Sequence, residues 1–110
     1  MGIDSLGAGT DFPVNPINPL LNMYIMVTRK DRKSNVYGAS EAISREQALR
    51  LYTSAAARYT FEEGRKGTLE PGKLADLVVL SADYLTVPED QIKDIKADVT
   101  IVGGKVVFQR

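Results

Sequence analysis

The sequence predicts an α+β fold, and three observations carry that prediction. A capping box at Ser44 opens a run of apolar residues recurring at spacings of three and four. After Gly67 the pattern changes to short apolar runs divided by turns, with Gly103-Gly104 between the last two. Ahead of the helical part there is only one strand-like segment, so helices and strands are segregated along the chain rather than alternating.

That first segment, Ile3 to Asp11, is small and apolar and ends before Phe12 and Pro13, as a strand running into a loop would. From Pro13 to Pro19 three prolines, two of them preceded by asparagine, block helix and favour an extended, turn-rich loop. Leu20 to Thr28 is apolar nearly all round, with Leu20, Leu21, Tyr24, Ile25 and Val27 at spacings that fit a buried helix; periodicity alone leaves a strand open. Arg29 to Asn35 holds four basic residues and one acid, the pattern of a solvated connection.

At Ser44 the hydroxyl can accept from the Gln47 backbone while the Gln47 side chain reaches back. The predicted helix runs from Arg45 to Tyr59, with Ala48, Leu49, Leu51, Tyr52, Ala55, Ala56 and Tyr59 on one stripe and Gly64 available to end the helical region. Its small alanines predict close approach to another element. Strand-like segments follow at Thr68 to Gly72, Ala75 to Leu80, Ala97 to Val102 and Val106 to Phe108, and Pro88 to Ile95 fits a helical turn with Pro88 at its first position and acids at its start.

Composition narrows the function. A chain of 110 residues with 44% hydrophobic residues can bury one modest core, which places it among globular proteins rather than disordered ones. Fourteen basic and fourteen acidic residues cancel, so no long-range field attracts nucleic acid or an anionic membrane. No apolar run approaches the roughly 18 residues of a spanning helix and no basic segment precedes an apolar stretch at the N-terminus, so a soluble cytoplasmic protein is expected. Cysteine and histidine are both absent, which removes thiolate ligands, the commonest zinc ligand and the commonest general base near neutral pH.

Among the acids, Asp11 stands where a strand would give way to a loop, the place where parallel α/β folds put catalytic side chains, although a lone aspartate there also suits a turn. Asp76, at the start of a strand, reads as a structural residue satisfying backbone donors. Gly7-Ala8-Gly9 lacks the third glycine and immediate helix of a dinucleotide loop. The five tyrosines are accounted for by core packing. A carboxylate-only enzyme pairing Asp11 with Glu62 or Glu63 would need a spacing that nothing in the sequence fixes.

The string GTDFPV at Gly9 to Val14, followed by an NPL turn and an apolar helix, resembles the end of the barrel in the amidohydrolase superfamily, nearest to amidohydrolase family 3. Phe61 to Arg110, with GTLEPGKLADLVVL and IVGGKVV in that order, is similar to that family's C-terminal segment, and the likeness extends over about residues 5 to 110. It implies a chain derived from a (β/α)₈ barrel and a composite β-sandwich. Residues 1–66 would supply the last barrel strand, a loop and two helices, and residues 67–110 the C-terminal part of the sandwich.

The resemblance also implies a site. Asp11 matches the family aspartate at the end of the eighth strand, which contacts a divalent metal, usually zinc, and serves as general acid and base in hydrolysis of carbon–nitrogen bonds in small amides or cyclic amides and amidines. The family's other ligands are histidines from earlier strands, and this chain has none. The expectation is therefore a truncated hydrolase that binds no metal and turns over no small-molecule substrate by itself. Its partners would be the missing N-terminal part of the barrel or further copies of itself, without nucleic acid or membrane. A non-catalytic interaction or oligomerisation module is the alternative.

Overall fold

Asn18 opens the first helix: its side chain accepts from the Leu20 N–H at 2.9 Å, and Pro19 fills a first-turn position where no backbone donor is needed. In the computed structural model, which describes residues 6–110, this helix α1 covers Pro19–Thr28. The helical reading of the apolar run therefore holds. Leu20, Met23, Tyr24 and Val27 form the buried stripe, and Arg29 ends the helix in the left-handed conformation (φ 57°).

The charged connection follows as a tight excursion. Asp31 accepts from the Lys33 and Asn35 backbone N–H groups at 2.7 and 2.9 Å, and Lys30 and Val36 form an isolated antiparallel bridge. A single 3₁₀ turn, Ala39–Glu41, leads to Ser44, where both halves of the predicted capping box are present, at 3.1 Å and 2.9 Å.

Helix α2, Arg45–Tyr52, is shorter than the predicted run to Tyr59. The chain breaks at Thr53 (φ −125°, ψ −94°), and a second helix α3 covers Ser54–Tyr59. Periodicity on both sides of the break is preserved, which is why the sequence pattern reads through it. Thr53 turns its hydroxyl back to the Leu49 carbonyl at 2.8 Å, a local bond that competes with continued helix. Gly64 lies beyond the helical end, which comes at Thr60 and Phe61, the latter at φ 59°.

The predicted alanine approach is real, and Gly67 is its partner. A Cβ placed on Gly67 would sit 2.7 Å from the Ala57 Cβ and 3.1 Å from the Ser54 Cα, and its φ of 96° already favours glycine. Thr68 to Gly72 is not a strand. It forms bends and turns, held by the Lys73 ammonium on Glu70 at 2.9 Å and on the Thr68 hydroxyl at 2.7 Å.

Three strands close the chain: β1 Leu77–Leu80, β2 Ala97–Val102 and β3 Lys105–Gln109, antiparallel in the order β1-β2-β3. Gly103 and Gly104 turn β2 into β3 with φ of 56° and 79°, both positive, as a primed hairpin turn requires. Between β1 and β2 the predicted helical turn appears as a 3₁₀ segment, Glu89–Asp94, entered through Pro88.

That 3₁₀ segment seats the core. Ile92 (0% exposed) and Ile95 pack against Tyr24 (1% exposed), Leu20, Met23 and Val27 of α1, with Ala48 and Tyr84 alongside. Each of the larger buried side chains contributes roughly 1.5–3 kcal/mol relative to exposure. The rim is polar: Lys30 pairs with Asp90 at 2.8 Å, and the Lys93 ammonium lies 4.9 Å from the Tyr24 ring centre. The sheet, by contrast, has exposed apolar residues on both faces and an unpaired outer edge on β1 and on β3 among the described residues.

The predicted first strand requires correction. Ile3 to Ser5 lie outside the described residues, and Leu6 to Asp11 carry no strand. A strand needs a neighbour for its backbone groups. Here the Ala8 N–H is satisfied instead by the Leu51 carbonyl in the last turn of α2, at 3.1 Å.

Candidate functional site

Asp11 lies at the surface between that anchored segment and the proline-rich loop. Its backbone adopts φ 55°, a left-handed conformation that aspartate tolerates better than most residues, and the Phe12-Pro13 peptide bond is cis. The Asp11 carbonyl accepts from the Val14 N–H at 2.9 Å and from the Asn15 N–H at 3.4 Å, so the chain turns sharply just after it. Among the described residues its carboxylate makes no hydrogen bond or ion pair, and it is exposed.

Helices hold this turn from behind. Asn22 of α1 donates from its side-chain amide to the Gly9 carbonyl at 3.2 Å and to the Tyr52 hydroxyl, at the end of α2, at 2.9 Å. The sequence pattern placed Tyr52 on an apolar stripe and gave Asn22 no role. The available signal was the lone carboxamide inside the apolar run LLNMYIMV, since an amide in a mostly buried helix needs a polar partner.

The other acids have separate occupations. Glu62 accepts from Lys66 at 2.7 Å and from the Thr60 hydroxyl at 3.0 Å, and these contacts, the lysine first, hold its carboxyl below the usual glutamate range. A carboxylate so paired is a poor proton donor near neutral pH. At Glu63 it is the backbone carbonyl, not the carboxylate, that accepts from the Lys73 ammonium, at 2.7 Å. Asp76 performs the structural task read from the sequence, accepting from the Gly103 N–H at 2.8 Å and so tying the start of β1 to the hairpin turn.

A divalent metal fits poorly here. Among the described residues no group of three or more His, Cys, Asp or Glu side chains is arranged to hold one, and the chain has neither histidine nor cysteine to add. One exposed carboxylate is short of the roughly three protein ligands of a catalytic zinc site. A groove of about 660 Å³ runs between the helices and the sheet, lined by Leu49, Tyr52, Ala56, Leu69, Leu77 and Leu80 among others, and Asp11 is not part of its wall.

The family model described as the amidohydrolase family matches residues 4–108, almost the whole chain. The chain belongs to the amidohydrolase family. It is 30% identical over 105 residues to a putative amidohydrolase, YtcJ, of Bacillus subtilis, covering 93% of this chain and 20% of that protein. Protein LONG AFTER FAR-RED 3 of Arabidopsis thaliana is 41% identical over 106 residues, covering 94% and 18%. An N-substituted formamide deformylase of Arthrobacter pascens is 27% identical over 101 residues, covering 92% and 19%.

The crystal structure of an amidohydrolase from Thermotoga maritima superposes with a TM-score of 0.67 at 25% identity, over 91% of this chain and 22% of that one. The amidohydrolase family resemblance read from GTDFPV and the C-terminal motifs is therefore correct. The chain spans about a fifth of the length of these relatives. Among the described residues no helix is long and apolar enough to cross a membrane.

Proposed function

We propose that this chain is the C-terminal portion of a hydrolase of carbon–nitrogen bonds in small amides or cyclic amides and amidines, and that Asp11 is its general acid–base. The observation that carries this reading is an exposed carboxylate with no internal partner among the described residues, held on a turn inside a chain that matches the family from end to end. The deformylase relative, named for N-substituted formamides, supports the amide class.

The chain's own contribution is a proton station. As ionised carboxylate, Asp11 can take a proton from attacking water; as the acid so formed, it can deliver that proton to the departing nitrogen. Such a group contributes typically 10²–10⁴-fold when positioned. Among the described residues no group of three or more potential ligands is arranged to hold a metal, and the reading includes inactivity of the chain alone, with the remaining groups coming from the rest of a barrel.

The test is a chimaera in which this chain replaces the matching segment of the Thermotoga maritima amidohydrolase. Turnover of a panel of N-acyl and N-formyl amines is expected, falling about a hundredfold or more in Asp11→Asn. The isolated chain should give no turnover above its own Asp11→Asn control. Equal rates for the two chimaeras would sink the assignment of Asp11.

A further inference from the structure

The loop bearing Asp11 is attached to the helices at three points: the Ala8 N–H on the Leu51 carbonyl, the Gly9 carbonyl on Asn22, and Asn18 at the start of α1. Between the second and third attachments lie Asp11 and its turn. Among the described residues the Asn22 bond is the side-chain hydrogen bond that reaches this loop from a different element, and it falls two residues before Asp11. We propose that Asn22, oriented by Tyr52, is the positioning residue for Asp11. The proposal rests on the acid–base reading of Asp11.

Chemistry fixes the orientation of the amide. The Gly9 carbonyl can only accept, so the Asn22 Nδ2 must face it; the second N–H of the same nitrogen then meets the Tyr52 hydroxyl. Tyr52 ends α2 and Asn22 lies in the second turn of α1, so the pair joins two helices and holds the loop against their junction. An asparagine inside a helix gains little for the helix itself, because its side chain competes for backbone groups. Its contacts point outward to the loop and across to the second helix.

The positional demand explains why such a clamp matters. A displacement of about 1 Å at a catalytic group can cost on the order of a hundredfold in rate. Asp11 sits in the left-handed region, which aspartate tolerates but which still costs free energy that its turn and the loop attachments offset. Release of Gly9 would allow residue 11 to leave that conformation and carry its carboxylate elsewhere.

The test uses the full 110-residue chain, isotope-labelled, with the Cα and Cβ shifts and the HN–Hα coupling of Asp11 reporting its φ. Asn22→Asp is close to isosteric and can accept from the Tyr52 hydroxyl but cannot donate to Gly9; Tyr52→Phe keeps the donor to Gly9 and removes only the orienting hydroxyl. The expected result is that Asn22→Asp moves the Asp11 signature toward an averaged loop, Tyr52→Phe moves it less, and β2 amides such as Thr100 are unchanged in both.

An unchanged Asp11 signature in Asn22→Asp would overturn the proposal, as would a shift of Asp11 and β2 together, which would make Asn22 a general brace. If Asn22→Asp fails to fold, Tyr52→Phe decides alone by the same two criteria. These readouts report geometry and not turnover. A catalytically idle Asp11, revealed by the chimaera, is therefore distinguishable from an Asp11 that Asn22 does not position.

Discussion

Among the described residues Tyr84 carries a strongly raised phenol. Its hydroxyl donates to the Arg45 carbonyl at 2.9 Å while the Arg45 guanidinium donates to the carbonyls of Tyr84, at 2.8 Å, and Val87, so the start of α2 is latched to the segment before Ile92. Burial pushes its phenol up to about 12, with the Arg45 charge acting in the opposite direction. An unfolded tyrosine titrates near about 10. Below that pH both states are neutral and the latch is intact. As pH rises from about 10 to 12 the unfolded chain releases a proton that the folded chain keeps, so stability falls through that window. Urea midpoints measured at pH 8 and pH 11 should differ more for the native chain than for Tyr84→Phe, which itself should cost about 1 kcal/mol at pH 8 through the lost hydrogen bond. Equal pH dependence in both would remove Tyr84 as its source. At this scale Asp76 was legible because its position at the start of a strand suggested the backbone donor it satisfies, while for Asp11 the structure gives an exposed carboxylate on a turn and its acid–base role is the proposal. Asn22 and Tyr52 were not legible, since Asn22 bonds to a backbone carbonyl 13 residues away that carries no side-chain signature, and Tyr52 bonds to Asn22 itself across 30 residues.

Among the elements, those with local causes were legible. The capping box at Ser44 depends on four consecutive residues, and the Gly103-Gly104 turn on two, so both can be read without knowledge of the remainder. Ser44→Ala should cost about 1 kcal/mol, seen as a lower urea midpoint with unchanged slope. The elements that were misread depend on distant partners. The segment from Leu6 to Asp11 has strand-like composition but bonds to a helix end, and Thr68 to Gly72 is held in bends and turns by Lys73, which also reaches the Glu63 carbonyl. The break between α2 and α3 was missed because the apolar spacing runs through it, while Thr53 bonds back to Leu49 and Gly67 lies close against Ser54 and Ala57 just beyond the break. Gly67→Ala combines a 2.7 Å contact with a left-handed φ, so a loss of roughly 1–3 kcal/mol is expected from strain alone. Thermal melts would check this. An unchanged midpoint would mean that the turn moves away freely and is not a fixed wall for α3.

At the scale of the whole molecule, the described chain has one buried core and one sheet that its own elements leave largely uncovered. The core joins α1 to the 3₁₀ segment around Ile92, and Ile92→Ala should cost about 2–5 kcal/mol, because a completely buried side chain leaves a cavity that its neighbours only partly fill. The sheet is different in kind. Val78 and Val79, in regular register and so on opposite faces, are each 47% exposed, and on β3 the bulged Val107 is 61% and Phe108 49% exposed. Apolar runs such as LVVL and VVF are the pattern of strands covered on both sides. Lys105 and the register irregularity between Thr100 and Ile101 blunt the β3 edge, yet its apolar surface remains large. The free energy of covering that surface is available to any complementary apolar surface, and in a solution of the chain alone the surface at hand is another copy of this chain. Light scattering across a concentration series should therefore show association that rises with concentration. Val107→Lys, which places a charge in the centre of the exposed strand without touching the core, should shift it toward monomer. A monomeric native chain across the whole series would mean that the sheet is protected by some arrangement other than self-association, and would return weight to a self-sufficient interaction module.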